Sequence, residues 1–524
     1  MSAAPLAPEN KRIDAVGTAA SCEASLTSQV SGASPLSDAP ASAELHAAAS
    51  SLRSKASSPT TLVIDVGTSS MRGILFDVEG HALAQHQVRY QPRYGKPGQV
   101  EQPASDFSDA LVAICSHVAI TTSEAGAAVD LIAMTAQRSS VTAVDASGEA
   151  LIDFLMWQDT RTAGICERLA PHAARIFELS GTRVNTVFSG GKMAWIRENL
   201  PEIYARTKRL ANIPEYLMHL MCGTWRTDHT YGSRSNLMNI RTREWDEELL
   251  RLFGVEQGKL CELAEPGSVM GHLTDSFAAT TGLTAGTPVV SAGGDQQCGA
   301  VGQGVTSSGR FSVVLGTGAF LETTCDEAPE ALRDDVIVNA ACLAGRYTLE
   351  ANVPTCCSAF DWFRREFYPG DMSFAELGGR LEAAYAAGVH AVVEPHFQGR
   401  GTPVWDPSAR ASFSNISLST TRDELLCALM LGIFREVKLN LDSFARYVEL
   451  ADGRVSGGLT QTHVVNQMLA DSLDMPLTRL DDAESTARGA LISALVGQGI
   501  YNSADDAFDA TCGDGASETF TPER

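Results

Sequence analysis

The alternation of apolar and polar positions is clearest at Thr61–Asp77, TLVIDVGTSSMRGILFD. Thr61–Asp65 is β-branched with period two, and Met71–Asp77 is a second apolar run. Gly67-Thr68-Ser69-Ser70 between them is a polar turn, so the stretch predicts a β-hairpin. Gly80–Tyr90 predicts a third strand and Gln91–Gln102 a Pro/Gly loop. Pro103–Ile120 sets Phe107, Leu111, Ile114 and Val118 at helical spacing. Strands follow at Val129–Met134 and Val141–Val144, and the chain turns helical after Phe154–Thr162. Gly190–Leu200 reads as a helix stopped by Pro201, and Ile213–Leu220 as another. Thr287–Ala292 is a buried strand that opens into Gly293-Gly294-Asp295-Gln296-Gln297 and the small-residue run Cys298–Val305. Strand groups followed by helices predict an α/β fold with helices on the sheet faces.

Near Gly309 the pattern starts again. Phe311–Leu315, the turn Gly316-Thr317-Gly318 and Ala319–Thr323 repeat the strand, Gly/Thr turn and strand of the first hairpin, which implies a duplicated architecture. Leu425–Leu450 predicts a long helix. Val455–Gln461 predicts a strand-to-helix turn leading into the helix Val464–Asp471, and Ser485–Val496 a small-residue helix able to approach a sheet closely.

Composition narrows the partners. A chain of 524 residues accommodates two domains. A net charge of −23 argues against nucleic acid or an anionic membrane, both of which require a basic surface. The 12 cysteines are scattered without a CxxC pair or zinc spacing, which reads as reduced core thiols of a cytoplasmic protein. Met1–Pro59 is rich in Ala, Ser and Pro, lacks a signal-peptide apolar core, and reads as a disordered extension.

Three Gly turns carry the first chemical signal. Gly67 with Thr68, Ser69 and Ser70 suits a phosphate cradle, since glycine admits close backbone approach and successive N–H groups form an anion nest. Asp65, just before it, can hold Mg²⁺. With Gly316–Gly318 and Gly457-Gly458, and without a Walker loop or protein-kinase motifs, the turns point to a nucleotide in an interdomain cleft. Asp295 follows a buried strand and two glycines. It either takes the proton of an alcohol attacking a phosphoryl group or caps the next helix. Trp157, Asp159 and Arg161 combine an aromatic plate, an acceptor and a cation, suited to a polyol or to a half-buried Trp beside an ion pair. Arg138, at a strand end, binds substrate hydroxyls or pairs with a carboxylate. Arg72 reaches a phosphate or is solvated.

The segments VIDVGTSSMRGILFD, TAQRSS, MWQDTRT, SAGGDQQCGAVGQG, VVLGTGAF, VSGGLTQTHVVNQMLAD and ESTARGALISA, in this order, resemble the FGGY family of carbohydrate kinases. That resemblance implies two RNase H-like domains of the actin/hexokinase/Hsp70-like ATPase superfamily flanking a nucleotide cleft. Residues 60–305 would form the N-terminal sugar- and phosphate-binding domain and residues 306–524 the C-terminal nucleotide-binding domain. It implies ATP and Mg²⁺, with Asp295 as base, Asp65 near the metal, and Gly67, Thr68, Ser69, Arg72, Gly316 and Thr317 around the phosphates. Gly458 and Thr462 would lie at the nucleoside. Substrate contacts are implied for Arg138, Ser139, Trp157, Asp159, Val187, Asp295 and Gln296. MWQDTRT and GGDQQ look most like glycerol kinases, where Glu follows the matching Arg and a Tyr contacts substrate; here Ser139 and Val187 stand instead. The smaller side chains leave room for a pentulose such as xylulose, or a related ketose or polyol. Glycerol kinase-type activity and a non-catalytic sugar-sensing pseudokinase are the alternatives, and homo-oligomerisation is open. The chain ends at Arg524 without the final helix many relatives carry.

Overall fold

The computed structural model describes residues 58–333, 335–480, 484–512 and 517–523. The Met1–Pro59 extension lies outside them but for its last two residues. The first half is built on strands β1 (Thr60–Val66), β2 (Ser70–Asp77), β3 (Ala82–Arg89), β4 (Leu131–Ala136), β5 (Val269–His272) and β6 (Pro288–Gly294). They lie in the order β3-β2-β1-β4-β6-β5. β1, β2 and β3 are antiparallel neighbours, whereas β1, β4 and β6 run parallel. Alternation explains why β1 is central. Leu62, Ile64 and Val66 enter a core with Phe107, Leu111, Ile114 and Val118 of helix α1 (Ala104–Ala125), while Val63 enters a second core on the other face. Helix α2 (Asp295–Gly302) continues directly from β6.

The second half repeats the plan. Strands β7 (Arg310–Leu315), β8 (Ala319–Cys325), β9 (Ile337–Ala340), β10 (Tyr347–Val353), β11 (Asp452–Ser456), β12 (Leu477–Leu480) and β13 (Ser517–Phe520) lie in the order β9-β10-β8-β7-β11-β12-β13. Antiparallel β7, β8 and β10 correspond to β1, β2 and β3. Parallel β11 and β12 correspond to β4 and β6. Helices α3 (Cys357–Phe367), α4 (Arg422–Phe444), α5 (His463–Leu473) and α6 (Ser485–Gly497) follow in the chain. Side chains of α4, among them Leu429, Ile433, Phe434 and Val437, fill the core beside Val313, Leu321 and Leu349. Helix α6 crosses back: Ala487, Ala490, Leu491 and Ala494 pack with Val63, Ile74 and Ala133 of the first sheet. Its small residues permit the close approach expected of them.

Several boundaries differ from expectation. Helix α1 runs past Ile120 to Ala125, because the hydroxyls of Thr121 and Thr122 bond back to the carbonyls of His117 and Val118. The helix before Pro201 stops at Asn199 as expected, and Pro201 then opens a second short helix, Pro201–Arg206, where its missing N–H costs nothing. The loop Gln91–Gln102 contains two short strands, Arg93–Tyr94 and Val100–Gln102, which join a five-stranded sheet. Helix α4 starts at its Thr421 cap and ends at Phe444, short of Leu450.

Helices α2 and α6 touch through glycines. A Cβ on Gly302 would lie 1.8 Å from the Ser485 carbonyl oxygen, and one on Gly489 1.8 Å from that of Cys298. Because α2 begins with Asp295, this contact sets where that carboxylate stands. Gly489→Ala is expected to destabilise the chain by about 1–3 kcal/mol through overpacking. Chemical denaturation measures it, and an unchanged midpoint would show that the helices separate freely.

Candidate active site

Asp295 is the first residue of α2, and Gly294 occupies the capping position. Its side chain therefore does not cap the helix; only the Gln296 amide donates to Oδ1, at 2.9 Å. The approach is tightly fixed. Gly293 has φ +110°, and its carbonyl accepts from Thr135 Oγ1 at 2.8 Å and Tyr231 Oη at 2.9 Å, while the Gly294 amide donates to Thr230 Oγ1 at 2.9 Å. A Cβ on Gly294 would strike the Arg138 side chain at 2.6 Å, so glycine is what lets Arg138 lie beside the carboxylate.

Arg138 follows β4 and is buried. Its Nε lies 3.7 Å from Asp295 Oδ1, Nη1 donates to Gln297 Oε1 at 3.0 Å and Glu350 Oε1 at 2.5 Å, and Nη2 donates to Gln296 Oε1 at 2.9 Å. Arg234 donates from Nη1 to Glu350 Oε2 at 3.0 Å, and its guanidinium lies 4.6 Å over the Phe188 ring. The Asp295 side chain keeps 32% of its surface open. Burial pushes its carboxyl up to about 6, Arg138 pulls it down and Asp65 adds repulsion. Burial and Arg138 draw Arg234 down to about 10. Glu350 is held below its usual range by the two arginines, which outweigh its burial. Burial and the neighbouring Glu350 push Glu322 well above its usual range.

The first hairpin turn adjoins this cluster. Gln137 Nε2 and Tyr90 Oη donate to the Gly67 carbonyl at 3.1 and 2.9 Å. Trp157, 39% exposed, donates from its indole to Thr68 Oγ1 at 3.1 Å, which joins the aromatic plate to the Gly67–Ser70 turn. Asp65 accepts from Arg72 at 3.3 Å, and Arg72 also pairs with Glu484 at 2.8 Å, so Arg72 is not a solvated side chain. Burial raises Asp65 above its usual range, opposed by Arg72.

The echoing turn is tied back by its carbonyls. Gly316 O accepts from the Cys357 amide at 2.9 Å and Thr317 O from the Cys356 amide at 2.8 Å. Gly457, at φ +107°, crosses the Leu315 backbone so closely that a Cβ would lie 2.3 Å from its oxygen. Gly457 and Gly458 line a cleft of about 490 Å³ with Gln296, Phe320, Gln461, Arg479 and Thr486. A larger opening of about 1070 Å³ around Trp225 and Arg226 touches none of the Gly turns. Thr462 stands outside the cleft at the start of α5, and Gln461 lines the wall instead.

Three expected substrate residues stand otherwise than their sequence suggests. Asp159 is fully buried. Its carboxylate accepts from the Val100 amide at 2.8 Å and from the Arg161 amide and Nε at 3.0 and 2.9 Å, so it is turned into the fold rather than toward a ligand. Ser139 is buried with φ +69°, and its hydroxyl donates to the Arg234 carbonyl at 3.4 Å. Val187 is half-buried, and its carbonyl, with that of Thr186, accepts from Lys192 Nζ at 2.7 and 2.9 Å. Burial draws this lysine down to about 7, with Asp159 opposing. Sequence reasoning missed Arg234, Glu350, Glu322, Phe320 and Lys192. Glu350 left a signal, a lone acid in the strand sequence YTLEANV.

Residues 60–302 match the FGGY family of carbohydrate kinases, N-terminal domain, and residues 311–497 its C-terminal domain. A glycerol kinase from Alcanivorax borkumensis is 32% identical over 468 residues, 85% of this chain and 91% of that protein. Among solved structures, a xylulose kinase from Rhodospirillum rubrum superposes with TM-score 0.82 at 21% identity, covering 88% of this chain and 94% of the other. Plasmodium falciparum glycerol kinase with ADP superposes with TM-score 0.81 at 23% identity, covering 89% and 94%. The repeated sheets are thus the two-domain actin/hexokinase-like ATPase fold.

Asp159→Ala would leave the buried Arg161 short of a partner and the Val100 amide unsatisfied. A loss of about 3–5 kcal/mol is expected. Thermal and chemical denaturation check this, and a variant of wild-type stability with altered acceptor affinity would instead make Asp159 a ligand contact.

Proposed function

This chain belongs to the FGGY family of carbohydrate kinases and is a phosphotransferase with an alcohol acceptor and ATP as cosubstrate, and we propose that Asp295 is its catalytic base. The observation that carries the reading is the setting of Asp295: a carboxylate at a helix head, raised toward neutrality by burial and kept ionisable by Arg138. A base with a pKa near working pH is both deprotonated and basic enough to accept an alcohol proton, an effect of about 10²–10⁴-fold.

In this reading residues 60–305 present the acceptor and residues 306–524 the nucleotide. Arg138 and Gln296 orient the acceptor hydroxyl at Asp295, and Trp157 covers its carbon face. The γ-phosphate lies between the Gly67–Ser70 and Gly316–Gly318 turns, and the nucleoside against Gly457 and Gly458. Arg72 stays at the rim, pairing with Asp65. The residues fit Mg²⁺: Asp65 and Asp295 repel one another, and a hydrated divalent ion near Asp65 would relieve that repulsion. Asp65 would hold it, and when bound it neutralises charge on the phosphates. The hydroxyl proton passes to an Asp295 oxygen as the oxygen attacks phosphorus, and ADP leaves.

The acceptor in this proposal is longer than glycerol, a ketose such as xylulose or a related polyol. Support comes from Ser139 and Val187, which project no large side chain where glycerol kinases carry Glu and Tyr. The glycerol kinase relative favours glycerol as the second reading. The intact Asp295 and Gly turns count against a pseudokinase. No described helix is long and apolar enough to cross a membrane, and a cytoplasmic location belongs to the same reading.

Three measurements test this. Asp295→Asn is expected to lose about 10²–10⁴-fold in turnover while ATP affinity stays near wild type. For the wild type, activity requires the ionised base. It should therefore fall about tenfold per pH unit on the acid side, with the break at or below about 6 because a bound cation relieves the Asp65 repulsion, and level off above it, and a flat profile from 4.5 to 8 would remove Asp295 from the role. An ADP-release panel of glycerol, erythritol, xylulose, ribulose and sedoheptulose should show the highest kcat/KM on a five-carbon or longer acceptor. Glycerol as best acceptor would overturn the length argument.

A further inference from the structure

Glu350 has no part in the scheme above, yet it contacts the substrate arginine more closely than any other acid. It lies on β10 in the second half, and its side chain is 8% exposed. Oε1 accepts from Arg138 at 2.5 Å and Oε2 from Arg234 at 3.0 Å, so one carboxylate from the second half joins two arginines of the first. The consequence for Arg138 follows from counting its five N–H donors. Both Nη1 hydrogens are engaged, by Glu350 and Gln297, and one Nη2 hydrogen is given to Gln296. What remains is the Nε hydrogen, facing Asp295 at 3.7 Å, and one hydrogen on Nη2.

We propose that Glu350 is a positioning residue of the acceptor site: by engaging Arg138 from the opposite half, it fixes which guanidinium edge meets the acceptor, and only while the two halves are together. This rests on the reading of Arg138 as an acceptor contact. Without Glu350 the guanidinium has one strong partner left within reach, Asp295. Closing that gap would set a direct ion pair on the base and turn the free edge away from the acceptor. Glu322 does not hold the guanidinium in this way: it lies near the same arginines on β8, but its buried Oε2 has no hydrogen-bond partner among the described residues. Arg234 holds the other oxygen of Glu350, so the carboxylate cannot rotate away from Arg138 without abandoning a second buried cation.

The full chain, assayed with ATP on whichever of glycerol, xylulose and ribulose the wild type phosphorylates best, tests this. Glu350→Ala is expected to raise acceptor KM by about tenfold or more and to lower kcat, with ATP KM within about twofold of wild type. Glu350→Gln keeps an oxygen for Arg138, and its acceptor KM should return to within about threefold. A purely structural role would lower melting temperature in both variants and leave acceptor KM unchanged, which overturns the proposal. Should Glu350→Ala not fold, Arg234→Lys loosens the second arm. A rise in acceptor KM without a rise in ATP KM is then expected, and equal changes in both overturn the proposal. A wild type that phosphorylates none of the three removes the acceptor reading itself; an active wild type with unaltered variants removes only the role of Glu350.

Discussion

A carboxylate that must accept a proton near neutral pH needs burial, and burial threatens to keep it protonated. The fold answers with one buried cation, Arg138, held 3.7 Å from Asp295. That cation is itself too costly to bury alone, so Glu350 neutralises it from the other half, and Arg234 shares Glu350. Two guanidinium groups thus face two carboxylates, Glu350 and Asp295, while burial and Glu350 push a third acid, Glu322, well above its usual range. Since Arg138 and Asp295 come from the first sheet and Glu350 from the second, the balance exists only across the interface between halves.

The duplicated sheets explain how this interface is supplied. In each half the first strand of the hairpin is flanked by an antiparallel and a parallel neighbour, so both turns emerge at the same end of their sheets. β6, one strand removed from β1, ends in Gly293-Gly294, and β11, next to β7, leads into Gly457-Gly458. Parallel strands carry their C-terminal ends to one edge, and a ligand site there follows from topology. The glycine contact between α2 and α6 adds the remaining restraint, since α6 packs against the first sheet and stops α2 from sliding with Asp295.

How much of this was legible in the sequence divides along physical lines. Hairpins, buried parallel strands and Gly turns leave local signals of period, β-branching and turn composition, and Thr61–Asp77, Phe311–Thr323 and Gly293–Gln297 stand where those signals put them. Helix ends were less legible. Helix α1 outruns the expected Ile120 because Thr121 and Thr122 satisfy their hydroxyls inside it, and Pro201, which stops one helix, also opens the next. Asp159 misled for a deeper reason. A carboxylate beside Trp157 and Arg161 has the composition of a sugar contact, and nothing local reveals that the Val100 amide, far back in the chain, consumes it. Arg234 and Lys192 likewise depend on partners in other elements.

The same logic bears on specificity. Ser139 replaces a large acid, but its hydroxyl is buried against the Arg234 carbonyl and its backbone is left-handed, a conformation that costs a β-carbon about 1–2 kcal/mol. The position therefore shapes the pocket through the backbone it imposes on the Arg138-Ser139-Ser140 turn, and Ser140 in turn accepts the Trp157 amide at 3.0 Å. Val187 acts through its carbonyl, which Lys192 holds from beneath. Neither position thus projects a large polar group, and the Arg138-Ser139-Ser140 turn ties the Trp157 backbone to the strand end that carries Arg138.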